Sequence, residues 1–441
     1  MTKAQFQDAI ISMVAKDSVP FAFFSASCGF RSIAQPIANK LGVSLDRDAV
    51  RNMVIDKARE VEADLIQAMN NQPIFLKMDA ATRQGTSYLA INAQFVQGGR
   101  AVTRTLAVVD CAGKHTAEAT TTLVFQVMAR YKLRKEQVLA IVTDNASAMV
   151  KTIQLLNQFE GEKQNEEKNV ETEKDLGDDE GDGDEEGDQD DAALRALFVE
   201  AHDETETSGS GDSAMHLMRC AEHTLQLAIR DGLKHKKAAS VLSKIRGVAR
   251  KLRAPNMAAS LKKKGLPLPI LEVETRWGST FNMLKRIHEL KDVIQDYAAA
   301  APELHISDAM WDESKKLLEV LEQPYAVTIR FQSATLTPGG FMKEWVMLRT
   351  HLDGKGAVAV GIANSMRRRE AKLFDCDVLL AGVFADARYR ILLKGELLER
   401  AETAFIALME RIRRIHGHNA VLALSSTESS SDNTAVSKTS Y

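Results

Sequence analysis

The sequence predicts an α/β protein built on a mixed sheet, with a helical region before the sheet and a helical insertion after it. Three observations carry that prediction. Val138–Thr143 is an unbroken apolar run with the composition of a strand covered on both faces. Ser87–Val96 alternates, with Leu89, Ile91, Ala93 and Phe95 set against Tyr88, Ala90, Asn92 and Gln94, as a half-buried strand does. Before residue 70 and after residue 220 the apolar spacing changes to three and four, the period of a helix.

The elements follow in order. In residues 1–70, Phe6, Ile10, Met13 and Val14 share one helical face, and Ile33, Ile37 and Leu41 share another. A third face runs from Val50 through Val61 to Met69. Pro73–Asp79 is the first strand and Ser87–Val96 the second; Gly98-Gly99 is a hairpin signal, and Ala101–Asp110 is the third strand. Thr116–Tyr131 is an amphipathic helix, Val138–Thr143 a central strand and Ser147–Gln158 a helix. Residues 71–160 therefore read as the first part of a sheet core. Residues 161–212 are an acidic, low-complexity insert expected to be disordered, with Ala192–Ala201 as a short helix inside it. An EF-hand register starting at Asp182 fails, because its twelfth position is Ala193 rather than Glu.

Residues 213–300 complete the core and begin the insertion. Met215–Arg219 is a short strand, Cys220–Leu233 and Lys236–Leu252 are helices, and Thr275–Ala300 is one long helix. Residues 301–420 are helical, turning at Leu336–Gly340 and ending in a charged helix at Glu396–His416. Residues 421–441 form a tail expected to be disordered. The strand and helix order through the core is β-β-β-α-β-α-β-α.

A chain of 441 residues with 45% hydrophobic and 27% charged residues can bury a sizeable core. No apolar run approaches the roughly 18 residues that span a bilayer, and Lys16-Asp17 interrupts the first apolar stretch, so neither a membrane span nor a secretory signal is expected. The four cysteines are scattered without a C-x-x-C pair, which favours free thiols in a reducing compartment. The formal charge is −3, but Glu171–Asp191 holds thirteen carboxylates against one lysine, a net −12 that leaves +9 on the rest. A mildly basic body is compatible with nucleic acid. Neither G-x-G-x-x-G after a strand nor a Walker-type loop occurs, which argues against a doubly wound metabolic enzyme.

The chemistry concentrates at Asp79 and Asp144, each at the end of an apolar strand. Carboxyl ends of strands are where open α/β sheets place ligands. Asp144 could also simply cap the following helix. Two aspartates on adjacent central strands suit Mg²⁺, which takes one or two carboxylates plus phosphate oxygens. This pattern of strands and acids is that of a ribonuclease H-like mixed sheet.

Four stretches carry a more specific resemblance. Met78–Val96 (MDAATRQGTSYLAINAQFV), Val138–Lys151 (VLAIVTDNASAMVK), Arg219–Lys234 (RCAEHTLQLAIRDGLK) and Glu274–Lys291 (ETRWGSTFNMLKRIHELK) resemble, in order and spacing, motifs of hAT-superfamily DNA transposases. Asp17–Ile37 resembles the family's helical pre-domain, and Leu379–Arg390 its Leu-Asp-Pro-Arg-Tyr motif. The resemblance implies a ribonuclease H-like core interrupted by an α-helical insertion. It implies Asp79 and Asp144 as the first two catalytic, metal-binding acids, with Cys220 and His223 near them. It implies Arg276 and Trp277 as DNA contacts, Trp277 stacking on an unpaired base. Mg²⁺ or Mn²⁺ is the expected cofactor; zinc is not expected, since Cys220 and His223 lack further ligands nearby. DNA is the expected partner, the nucleus the expected compartment, and homo-oligomerisation an open expectation. Beside these stand plainer readings: Trp277 as a core anchor, and Cys220 as a buried thiol at a strand–helix junction with His223 turned towards the carboxylates.

The chain departs from the family pattern. Ala80-Ala81-Thr82 replaces the Trp-containing stretch after the first Asp, and Phe384–Tyr389 alters the Leu-Asp-Pro-Arg-Tyr motif. Cys28 is the only cysteine before Cys111, so the family's BED zinc finger is not expected. The Ser-x-x-x-Glu-Arg-x-Phe-Ser dimerisation segment that carries the third acid is not found either. Glu428 lies in a Ser/Thr-rich context that does not match, and Glu396, Glu399 and Glu402 are the remaining substitutes. The expectation is a truncated or inactive DNA transposase, or a non-catalytic DNA- or protein-binding module derived from one.

Overall fold

The computed structural model of the chain describes residues 1–83, 86–111, 116–158, 214–273 and 276–428. The acidic insert expected at 161–212, its short helix, and residues 429–441 lie outside the described residues. The chain divides into two compact units. The first comprises Met1–Asn70 and Met128–Leu133, and the second Asn71–Val127 and Arg134–Tyr441.

The first unit contains α1 (Lys3–Ala15), α2 (Phe21–Ala26), α3 (Cys28–Leu41) and α4 (Arg47–Met69). A capping box starts α1: the Thr2 hydroxyl accepts from the Gln5 N–H, and the Gln5 side chain accepts from the Thr2 N–H. Phe6, Ile10, Phe24, Leu45 and Val50 form its core. The expected face of α3 is corrected. Ile33 is 76% exposed, whereas Ala34 and Ala38 are buried. The alanines form the inner side of the helix, and the isoleucines are left on the outer side. Val61, expected to be buried along α4, is also exposed.

The second unit holds the sheet: β1 (Ile74–Arg83), β2 (Thr86–Gln97), β3 (Arg100–Asp110), β4 (Val138–Thr143) and β5 (His216–Arg219). The strand order is β3-β2-β1-β4-β5. β1, β2 and β3 form an antiparallel meander. The chain then passes through α5 (Ala117–Arg130) and returns as β4, parallel to β1; β5 adds parallel to β4. The protein is thus α/β, with a five-stranded mixed sheet and predominantly helical content elsewhere. One sheet face is sealed by buried Leu76, Met78, Leu89 and Ile91. On the other face Phe75, Ala140 and Met218 join the large core of the helices that follow.

α6 (Ser147–Gln158) follows β4, and α7 (Ala221–Leu233), α8 (Lys236–Leu252) and α9 (Pro255–Lys263) follow β5. The single long helix expected at Thr275–Ala300 is two: α10 (Trp277–Glu289) and α11 (Lys291–Ala298). The break falls at Leu290, whose φ of −98° and ψ of 8° leave the helical region while its side chain stays buried. The rest comprises α12 (Asp308–Phe331), α13 (Pro338–Leu352), α14 (Ala357–Leu373), α15 (Asp377–Ala385) and α16 (Glu396–Glu428). The last helix runs past its expected end at His416 and takes in the first part of the expected disordered tail. α7 and α14 meet at glycine: a Cβ on Gly232 would lie 2.3 Å from Cγ1 of Ile362 and 3.0 Å from the Val358 carbonyl oxygen.

A buried side chain ties α16 to the sheet. Arg411 donates to the carbonyls of Ala214 (2.6 Å), Val138 (2.9 Å), Glu136 (3.0 Å) and Lys135 (3.4 Å). These carbonyls lie at the amino-terminal ends of β4 and β5. The arginine therefore satisfies polar atoms that the ladder leaves open there.

Candidate functional site

The site is set by strand register. β1 and β4 run parallel, with Lys77 opposite Val142. Two residues further on come Asp79 and Asp144, on the same sheet face because strand side chains alternate. β5 extends the row: Thr143 pairs with Arg219, and the Cys220 N–H donates to the Thr143 carbonyl at 2.8 Å. Asp79, Asp144 and Cys220 thus stand at one level on three adjacent strands. Asp79 does not end its strand as expected. β1 continues to Arg83 because β2 keeps pairing with it, and Asp79 itself lies opposite Ala90.

α7 starts directly after Cys220 and carries His223 in its first turn. Hydrogen bonds hold that turn against the loop after β4. Asn145 Nδ2 donates to Thr224 Oγ1 (3.1 Å), the Thr224 hydroxyl donates to the Cys220 carbonyl (2.8 Å), and Arg219 Nη1 donates to Asn145 Oδ1 (3.2 Å). Asn145 and Thr224 are buried. Sequence reasoning missed both as positioning residues. The only signal was their place inside the Thr-Asp-Asn and C-x-x-H-T stretches.

Electrostatics ties the acids to the histidine. Burial raises the Asp144 carboxyl above its ordinary range; the Ala146 N–H and His223 oppose the shift, and Asp79 adds to it. Burial lowers His223, against the pull of Asp144 and Asp79. Asp144 Oδ1 also accepts from the Ala146 N–H at 3.1 Å, so the capping role exists beside any other. Burial raises the Cys220 thiol, which keeps it protonated and unreactive.

The structure brings together Asp79, Asp144, Cys220 and His223. Among the described residues, no group of three or more His, Cys, Asp or Glu side chains is arranged to hold a metal ion. The two aspartates suit a hard divalent ion that draws its other ligands from water and phosphate. Glu396, Glu399 and Glu402 join no such group among the described residues; all three are exposed on α16, and the Leu397, Leu398 and Ala401 between them pack on the helical core. Glu428 is the last residue of that helix rather than part of a tail.

Trp277 opens α10 and is 3% exposed, packed edge-to-face on Tyr325 at 6.0 Å. Its indole N–H is buried without a hydrogen-bond partner among the described residues. The packing is that of a core anchor, and the ring as packed offers no face to a base. Arg276, the residue before it, is exposed.

Residues 218–323 match the family model of the ZBED1 RNase-like helical domain. The match covers the end of β5 and runs through α7–α11 into α12, taking in Cys220, His223, Arg276 and Trp277. No curated protein matches the chain.

Proposed function

We propose that this protein derives from an hAT-type DNA transposase and binds DNA, with Asp79 and Asp144 as the two acids of its ancestral phosphodiester-cleaving site. The observation that supports this most is the register that brings Asp79, inside β1, level with Asp144 at the end of β4, with His223 in electrostatic contact. The match of residues 218–323 to an RNase-like helical domain points the same way. The ribonuclease H-like assignment of the sheet and a nuclear location belong to the same reading.

Asp79 and Asp144 would hold Mg²⁺ or Mn²⁺. Such an ion, when bound, offsets phosphate charge and activates an attacking oxygen. Asn145 and Thr224 fix the first turn of α7, which keeps His223 facing the pair. Incubation with a labelled inverted-repeat duplex tests the reading. It predicts salt-dependent binding, and Mg²⁺-dependent nicking that Asp144→Asn abolishes.

A second reading, a non-catalytic DNA-binding protein, is favoured by one observation: no third carboxylate joins the pair among the described residues. Under it, binding persists in Asp144→Asn and no nicking occurs in the parent chain.

A further inference from the structure

Two cations lie near the carboxylate pair, one on β1 and one on α7. Lys77 sits on β1 one side-chain period before Asp79, about 6.6 Å along the strand, and shares its face. It is exposed, and its charge reaches across β4 to the Cys220 thiol. Arg230, half-buried, lies seven residues after His223 on α7. That is about two turns, or roughly 10.5 Å along the axis, and places both on nearly the same helix face. Arg230 acts electrostatically on His223 and on Glu272, which Arg246 also engages. One positive charge therefore lies on the sheet next to Asp79, and another on the helix beyond His223.

The open sheet beyond Lys77 fits the same path. Asn92, Gln94, Thr103 and Thr105 occupy the face that β1 shares with Asp79, carried across β2 and β3 by the register. They are neutral hydrogen-bonding groups, and Thr105 already donates to Asn92 at 2.8 Å.

From this placement we propose that Lys77 and Arg230 contact phosphates of a DNA chain that crosses the carboxylate pair from the open face of β1–β3 onto α7. The inference rests on the DNA-binding reading above. Lysine on the sheet supplies a point charge, and arginine on the helix a planar fork for phosphate oxygens. Neither reads sequence, so the contacts set position and salt dependence.

The test is anisotropy of a labelled duplex between about 50 and 200 mM salt, with the full chain and with Lys77→Gln and Arg230→Gln. Each variant is expected to lower the salt slope by about 1, and Lys77→Arg to keep the parent slope. Thermal melts of each variant monitor folding, and Arg230→Met, which keeps the apolar stem without the charge, serves if Arg230→Gln melts early. Parent slopes in both glutamine variants would overturn the inference while leaving the DNA-binding reading standing. A loss in only one variant would overturn the two-sided path. Absence of salt-dependent binding by the parent chain would remove the DNA-binding reading itself.

Discussion

The end of the sheet and the helical core beyond it treat their marked residues in opposite ways. Asp79, Asp144 and His223 meet at a strand end where charge is held at a cost: burial pushes the Asp144 carboxyl up and the His223 imidazole down. Trp277, equally conspicuous in the sequence, lies in a dense core with Tyr325 and Phe281 beside it. The contrast teaches that a conspicuous polar residue is set in place against the cost of burial, whereas a conspicuous aromatic one gains from it. Substitutions in the two regions should then move stability in opposite directions.

The largest effect is expected at Trp277. Trp277→Ala should lose about 3–5 kcal/mol in denaturant unfolding, the range for deleting a buried aromatic. A loss below about 1 kcal/mol would mean that the ring is not held in the core. Arg411→Ala comes next. It strands four carbonyls at the start of β4 and β5, and about 3 kcal/mol is expected, each buried unsatisfied polar group costing roughly 1–3. Gly232→Ala should cost about 1–3 kcal/mol, because the added methyl meets Ile362 and the Val358 carbonyl.

At the sheet end the sign reverses. Asp144→Asn removes a half-buried charge and keeps an oxygen for the Ala146 N–H, so the melting temperature should hold or rise. A marked fall would show that the charge stabilises the fold.

The smallest effect is a pH dependence. His216, His223 and His288 are all lowered from the usual 6.5, burial being the largest cause in each. The unfolded chain therefore takes up protons that the folded chain resists. Stability from these groups is present above about 6.5 and is lost as pH falls below it. Replacing His216 with Gln should flatten that part of the profile; an unchanged slope would remove His216 from the account.

Much of the sheet was legible because alternation and an unbroken apolar run report burial directly. β2 and β4 show it, and Asp144 follows from β4. The partnership of Asp79 with Asp144 was legible only as an expectation, since strand register depends on pairing between segments about sixty residues apart. Asn145, Thr224 and Arg411 were not legible: their roles are hydrogen bonds to distant backbone or side chains, which leave no periodic trace. The buried side of α3 was misread because a buried alanine carries a weaker hydrophobic signal than an isoleucine facing outward. The break at Leu290 left no signal either, as leucine suits a helix interior as well as it suits the bend.

The most direct test of the shared carboxylate site is Mn²⁺ titration of the parent chain, Asp79→Asn, Asp144→Asn and the double variant. The account predicts that each single change weakens binding by about tenfold or more, and that the double change adds little further, because both side chains serve one ion. Equal Mn²⁺ affinity in all four proteins, or losses that simply add, would contradict it.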